Sequence, residues 1–184
     1  MKSKWIIGLV SALLILSMVG CAKTSDTAES TQTEEAATVI YEGIFLDNDE
    51  ILDLFTSVRG ETAPFENVTQ DFHVTTEYMP ETAHPEWYGE KISVHITAYA
   101  VQEVEMEDGQ MTSNEGFKVE VTSENAELAA YLEGLNKNFH ITGAYQDGAK
   151  YTEYLDFSQG DPVDFYVTGT FGGYYTDGTI HYEK

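Results

Sequence analysis

Two copies of a short polar tripeptide carry the clearest chemical signal in the chain. His73-Val74-Thr75 lies in the run F-H-V-T-T-E-Y and His140-Ile141-Thr142 in F-H-I-T-G-A-Y; each His follows a Phe, and a Tyr stands five residues after each His. Side chains on a β-strand alternate between faces, so the His and Thr of each triplet project together. Two such strands on one cleft would assemble two imidazoles and two hydroxyls. Imidazole, with an unperturbed pKa of about 6.5, can take or give a proton near neutrality. Neighbouring hydroxyls can donate to oxygens on which charge develops. Opening a phosphodiester needs that set: one group to accept a proton from water, another to protonate the leaving oxygen, and donors for the phosphorus oxygens. The four residues include no carboxylate or thiolate, so the chemistry calls for no metal, no zinc site is expected and no cofactor is implied. A third copy, His95-Ile96-Thr97, shows that the tripeptide alone is a weak signal.

The elements that must position these residues follow from periodicity. Residues 39–46, V-I-Y-E-G-I-F-L, are β-branched and aromatic enough for a buried first strand. Asp47 with Glu50 three residues on forms a capping box for a helix with an apolar face of Ile51, Leu52, Phe55 and Val58, ending at Gly60. Residues 72–79 alternate as a strand closed by Pro80. Ile92, Val94, Ile96 and Ala98 then alternate with Ser93, His95, Thr97 and Tyr99 in a long strand to about residue 106, which turns at Asp108-Gly109 and returns over 116–122. Ser123 is placed to cap a second helix with Leu128, Tyr131, Leu132 and Leu135 as its inner stripe. Strands over 139–145, 150–157, 163–174 and 179–182 follow, the first pair joined at Asp147-Gly148. Strands outnumber helices and most neighbours are joined by hairpins, which predicts an α+β domain with antiparallel sheet.

The N-terminus predicts export. Lys2 and Lys4 precede an apolar run from Trp5 to Val19 that is short for a membrane span and ends at Met18-Val19-Gly20-Cys21. Residues 1–20 resemble a bacterial lipoprotein signal, which makes Cys21 the lipidated first residue of the mature chain. Cys21 is the single cysteine, so no internal disulfide can form. Residues 21–37 comprise the lipidated Cys and a small, polar, acidic stretch without hydrophobic periodicity, expected to be a disordered tether. Residues 38–184 remain for one folded domain with a core. The expected location is the cell membrane, lipid-anchored and outside the cytoplasm, with the bilayer as one partner.

Charge narrows the other partners. The chain has 32 Asp and Glu against 9 Lys and Arg, a formal net charge of −23, and Arg59 is its only arginine. Long nucleic acid is bound through Lys and Arg that neutralise phosphates, so such a partner is disfavoured. A small anionic ligand is compatible, because a local site can differ in sign from the whole.

The order and spacing of these segments resemble the two-histidine (2H, LigT-like) phosphoesterase superfamily. Y-E-G-I-F-L-D at 41–47 followed by a helix resembles that family's opening, and F-H-V-T-T-E-Y-M-P at 72–80 its first H-x-[ST] motif. G-E-K-I-S-V-H-I-T-A-Y at 89–99 is similar to the strand between the motifs, and N-F-H-I-T-G-A-Y-Q-D-G-A-K at 138–150 to the second motif. Thr76 and Gly143 stand where the family commonly has Leu, and Asn138-Phe139 where Pro is usual before the second His. The resemblance implies a bilobal α+β fold with antiparallel sheets around a central cleft and two main helices. It implies His73 and His140 as general acid and base, in an order left open, and Thr75 and Thr142 as ligands of the phosphate oxygens. By its placement His95-Ile96-Thr97 belongs to the strand between the motifs and is read as structural; His84 and His181 receive no role.

Aromatic residues near the motifs, Tyr78, Trp87, Tyr88 and Tyr145, are candidates for stacking on a nucleobase, and Lys150 for offsetting phosphate charge. The expected function is metal-independent hydrolysis of a small nucleotide phosphodiester, 2′,3′-cyclic phosphates among them, by a membrane-anchored lipoprotein. The alternatives are a non-catalytic surface lipoprotein that binds a small ligand in the same cleft and a structural envelope lipoprotein in which the histidines are incidental.

Overall fold

The computed structural model describes residues 37–105, 109, 111–146 and 152–184, which lie within one compact unit, Ala36–Lys184. The expected leader, Cys21, the expected tether as far as residue 36, the Asp147-Gly148 turn and Lys150 lie outside the described residues. Among the described residues no helix is long and apolar enough to cross a membrane.

The domain is α+β, with an antiparallel sheet and two helices. Among the described residues, eight strands and two α-helices run in the order β1 (Val39–Phe45), α1 (Asn48–Arg59), β2 (Asn67–Val68), β3 (His73–Tyr78), β4 (Lys91–Glu105), β5 (Met111–Ser123), α2 (Ala126–Gly134), β6 (His140–Tyr145), β7 (Asp161–Tyr175) and β8 (Ile180–His181). The strands make a single hydrogen-bonded sheet ordered β2-β6-β5-β4-β7-β1-β3, with β8 added on β7, and every ladder is antiparallel. Separate sheets were expected from the resemblance; instead the long β4–β7 ladder, Lys91↔Thr170 to Tyr99↔Asp161, joins the two halves.

Local chemistry explains most boundaries. Asp47 caps α1 by accepting from the Glu50 backbone N–H at 3.0 Å, and Gly60 ends it at φ +87°, donating to the Thr56 carbonyl. The buried face of α1 is Ile51, Leu54 and Phe55, while Leu52 is 42% exposed; Leu54, not Leu52, belongs to the inward stripe. The cap of α2 is Asn125, whose side chain accepts from the N–H groups of Glu127 and Leu128. Ser123 was the expected cap, but it lies two residues upstream, where its hydroxyl accepts from the N–H of Asn125. The strand expected over 150–157 is not one: Thr152–Tyr154 and Phe157–Gln159 are single 3-10 turns.

The core lies behind the motif strands. Val74 and Ile141, the middle residues of the two triplets, are fully buried with Phe55, Phe117, Ile92, Val94, Ile96 and Leu128, each worth about 1.5–3 kcal/mol relative to exposure. Phe55 from α1 stacks on Phe117 of β5 at 4.2 Å between ring centres. Burying Val74 and Ile141 turns His73, Thr75, His140 and Thr142 to the opposite face of their strands. Although β3 ends the sheet order and β6 stands next to its other end, the two strands touch. The sheet therefore curves until its ends meet, and this brings the triplets together.

Candidate active site

One cleft of about 1120 Å³ is lined by His73, Thr75, His140 and Thr142 together. Both histidines are held the same way. The Nδ1 of His73 bonds to the carbonyl of Asp71 at 2.8 Å, and the Nδ1 of His140 to the carbonyl of Asn138 at 2.9 Å. A carbonyl oxygen only accepts, so each Nδ1 carries the proton. Each neutral ring then has its lone pair on Nε2, and each cation donates from Nε2. Either ring is thus configured to act as a base when neutral and as an acid when charged.

Their surroundings differ. Burial disfavours the charged form of His140 and lowers its pKa below the ordinary histidine value; the Asn138 carbonyl and the Glu153 carboxylate pull it back up, and the Lys137 ammonium pushes it down. Glu153 Oε2 lies 4.0 Å from His140 Nε2, a separation that one water can bridge. His73 is flanked by aromatic rings: Tyr41 stacks on it at 4.9 Å and Phe45 tilts against it at 5.9 Å. Tyr41 in turn stacks on Tyr174 at 5.0 Å.

Of the other residues expected at the site, Tyr78 and Tyr145 line the cleft, with Tyr78 65% exposed at its rim. Trp87 and Tyr88 do not. Tyr88 is 1% exposed in the core and Trp87 packs against that core; the expectation that they stack on a ligand is therefore corrected. The loop after β3 turns inward because His84 ties it down: the buried Glu42 carboxylate accepts from the His84 backbone N–H at 2.7 Å and from its Nδ1 at 2.8 Å. Trp87 lies parallel to the His84 ring at 4.8 Å. His95 lies away from the cleft, stacked on Tyr166 at 4.1 Å and bonded to Asp164 at 2.8 Å. His181 stacks on Tyr175.

Sequence reading missed Tyr41, Tyr174, Asp71, Glu153 and Lys137, all of which line the cleft. Lys137 stands three residues before His140, next to Asn136 at φ +46°. Its Nζ donates to the Thr76 carbonyl at 2.5 Å. Since Thr76 directly follows Thr75, this side chain fastens the loop before β6 to β3, two segments with no ladder between them.

Gly143, one of the departures from the family pattern, also has a physical cause. A Cβ there would lie 2.6 Å from both Glu115 Oε2 and the Phe55 ring. Glu115 is fully buried beneath β6, paired with the Arg59 guanidinium and accepting from the Tyr99 hydroxyl at 2.7 Å. Burial pushes the Glu115 carboxyl up despite both partners. The only arginine of the chain is therefore consumed in the core and does not serve the cleft. No protein-family model, characterised protein or solved structure matches the chain.

Proposed function

We propose that the chain is an exported, Cys21-anchored phosphodiesterase of the two-histidine type that hydrolyses a small nucleotide phosphodiester without a metal. The observation that carries this reading is the pair of His-x-Thr triplets on β3 and β6, lining one cleft with both imidazoles clamped through Nδ1 to the carbonyl two residues back. In this reading His140 is the base, because burial keeps it neutral near pH 7. It takes the proton of a water lying between its Nε2 and Glu153. The water oxygen bonds to phosphorus, the bond to the leaving ribose oxygen breaks, and His73 protonates that oxygen. Thr75 and Thr142 donate to the non-bridging oxygens as their charge grows, and Tyr78 and Tyr145 at the rim offer faces to a base. The two halves of the sheet, each carrying one triplet, stand for the two lobes of the family.

The test is hydrolysis of nucleoside 2′,3′-cyclic phosphates in the presence of EDTA. The proposal expects turnover by the wild-type domain and its loss in His73→Ala and in His140→Ala. Wild-type inactivity across a panel of cyclic phosphodiesters would sink it and leave the non-catalytic binding lipoprotein.

A further inference from the structure

The charges that line the cleft are few and unevenly placed. Among the described lining residues Lys137 is the single Lys or Arg, while Asp71 and Glu153 contribute two carboxylates. Glu153 stands at His140, 4.0 Å from its Nε2. Asp71 stands at the other histidine: it lines the cleft beside His73, and its carbonyl holds the His73 ring. Tyr41, which stacks on that ring, has its pKa raised by burial first, then by Tyr174 and by the Asp71 carboxylate. The pair of carboxylates thus brackets the two histidines, and the lysine lies between the strands that carry them, bonded to Thr76 beside Thr75. An ammonium has three N–H donors, so the one given to Thr76 leaves two for a ligand. The full chain is itself strongly acidic, at −23.

We propose that the cleft admits a ligand bearing one negative charge, a phosphodiester docked on Lys137 between the two Thr hydroxyls, and disfavours the dianionic phosphomonoester that hydrolysis releases. This rests on the phosphodiesterase reading and adds the charge class of the ligand to it. A cyclic diester is a monoanion. Water adds to phosphorus, the ring P–O bond breaks, and the monoester formed loses its second proton near pH 6. The product therefore carries about one more negative charge than the substrate at neutral pH. That extra charge meets Asp71 and Glu153, and among the described lining residues Lys137 is the single Lys or Arg that offsets it. Each carboxylate within a Debye length costs such a ligand a few-fold in affinity even at high effective dielectric. The same repulsion clears the product and makes product inhibition weak. Polyphosphates and terminal phosphates are disfavoured on the same grounds.

Equilibrium binding at pH 8 and low salt, followed by NMR shifts of the His73 and His140 rings, tests this without turnover. The probes are a nucleoside 3′-(methyl phosphate), a monoanionic diester that lacks a strained ring, and the matching nucleoside 3′-monophosphate. The methyl diester should bind at least about five-fold tighter than the monoester. Glu153→Gln and Asp71→Asn should each narrow that gap by strengthening monoester binding. Lys137→Met should weaken both ligands about ten-fold, and Lys137→Arg, which keeps the charge, should restore binding if the strap to Thr76 survives. Monoester binding equal to or tighter than the diester, unchanged affinities in Lys137→Met with native ring shifts, or no binding of either probe at millimolar concentration would overturn the proposal. An inactive domain that still shows the diester preference would refute the catalytic reading alone.

Discussion

His140 donates from Nδ1 to the carbonyl of Asn138 at 2.9 Å, and the same two-residue clamp recurs between His73 and Asp71. The repeat means that each ring is oriented through Nδ1 by the entry to its own strand. What distinguishes the rings is environment. Burial, with a smaller push from the Lys137 ammonium, drives His140 toward its neutral form.

The first prediction concerns pH. Burial, the largest influence on His140, lowers its folded pKa below the unfolded value of about 6.5; the Asn138 carbonyl and Glu153 raise it, and Lys137 lowers it. Between the two pKa values the unfolded chain binds the proton and the folded one does not. The contribution of His140 to stability is therefore intact above about pH 6.5 and falls as pH drops toward the folded pKa. His140→Gln should flatten the stability–pH slope below pH 6.5. An NMR titration of the ring with a midpoint above 6.5 would reject the base assignment. Lys137→Met should move that midpoint up and Glu153→Gln should move it down.

Catalytic losses should be graded by role. Each His→Ala change should cost about 10²–10⁴-fold in kcat, the usual weight of a positioned acid or base. Thr75→Val and Thr142→Val should each cost about 10²-fold, mostly in kcat, since their donors matter as charge grows on the phosphorus oxygens. Steady-state kinetics at several pH values separates these, and a Thr change that alters only KM would reassign that hydroxyl to ground-state binding.

Beneath β6, Arg59→Ala should destabilise the domain by about 3–5 kcal/mol, because the fully buried Glu115 would lose its cation. Gly143→Ala should cost about 1–3 kcal/mol through overpacking against Glu115 and Phe55. Urea denaturation reads both. A neutral Arg59→Ala would mean that Glu115 is protonated in the fold.

The aromatics divide into two groups. Tyr88→Ala should lower stability by about 3–5 kcal/mol, as loss of a large core ring does, with KM of the surviving folded protein unchanged. Tyr145→Ala should raise KM about ten-fold, the value of one base-stacking contact. The opposite pattern would return the inward loop to the ligand.

Under the proposed lipid anchoring at Cys21, Cys21→Ser should move the protein from the membrane fraction to the soluble exported fraction. Retention in detergent-extracted membranes would point to an uncleaved leader.

How far the sequence alone reached follows the range of the forces involved. The shared face of His and Thr in each triplet was legible because a strand alternates with period two, and Val74 and Ile141 between them were apolar. The cap at Asp47 was legible because its partner is three residues away. The cap at Asn125 was misassigned because Ser123 and Asn125 are both capping types, and only the bonding to Glu127 and Leu128 decides between them. The loop carrying Trp87 and Tyr88 was placed on the wrong side because the Glu42–His84 bond that tethers it spans 42 residues. Nearness of an aromatic to a motif in sequence says nothing of which way a tethered loop turns. Lys137 escaped notice for a related reason. Its only local cue is its place three residues before His140, whereas its partner, Thr76, is 61 residues away. The curvature that brings β3 to β6 left no local pattern, and only the repeated motif hinted at it.

The central claim, two clamped imidazoles opening a phosphodiester without a metal, is tested most directly by following a nucleoside 2′,3′-cyclic phosphate by ³¹P NMR with EDTA present. The wild-type domain should convert the cyclic resonance to a single monoester, while His73→Ala and His140→Ala, shown to be folded, leave it unchanged. A wild-type domain that leaves the cyclic phosphate intact, or His variants that convert it at the wild-type rate, would contradict the account.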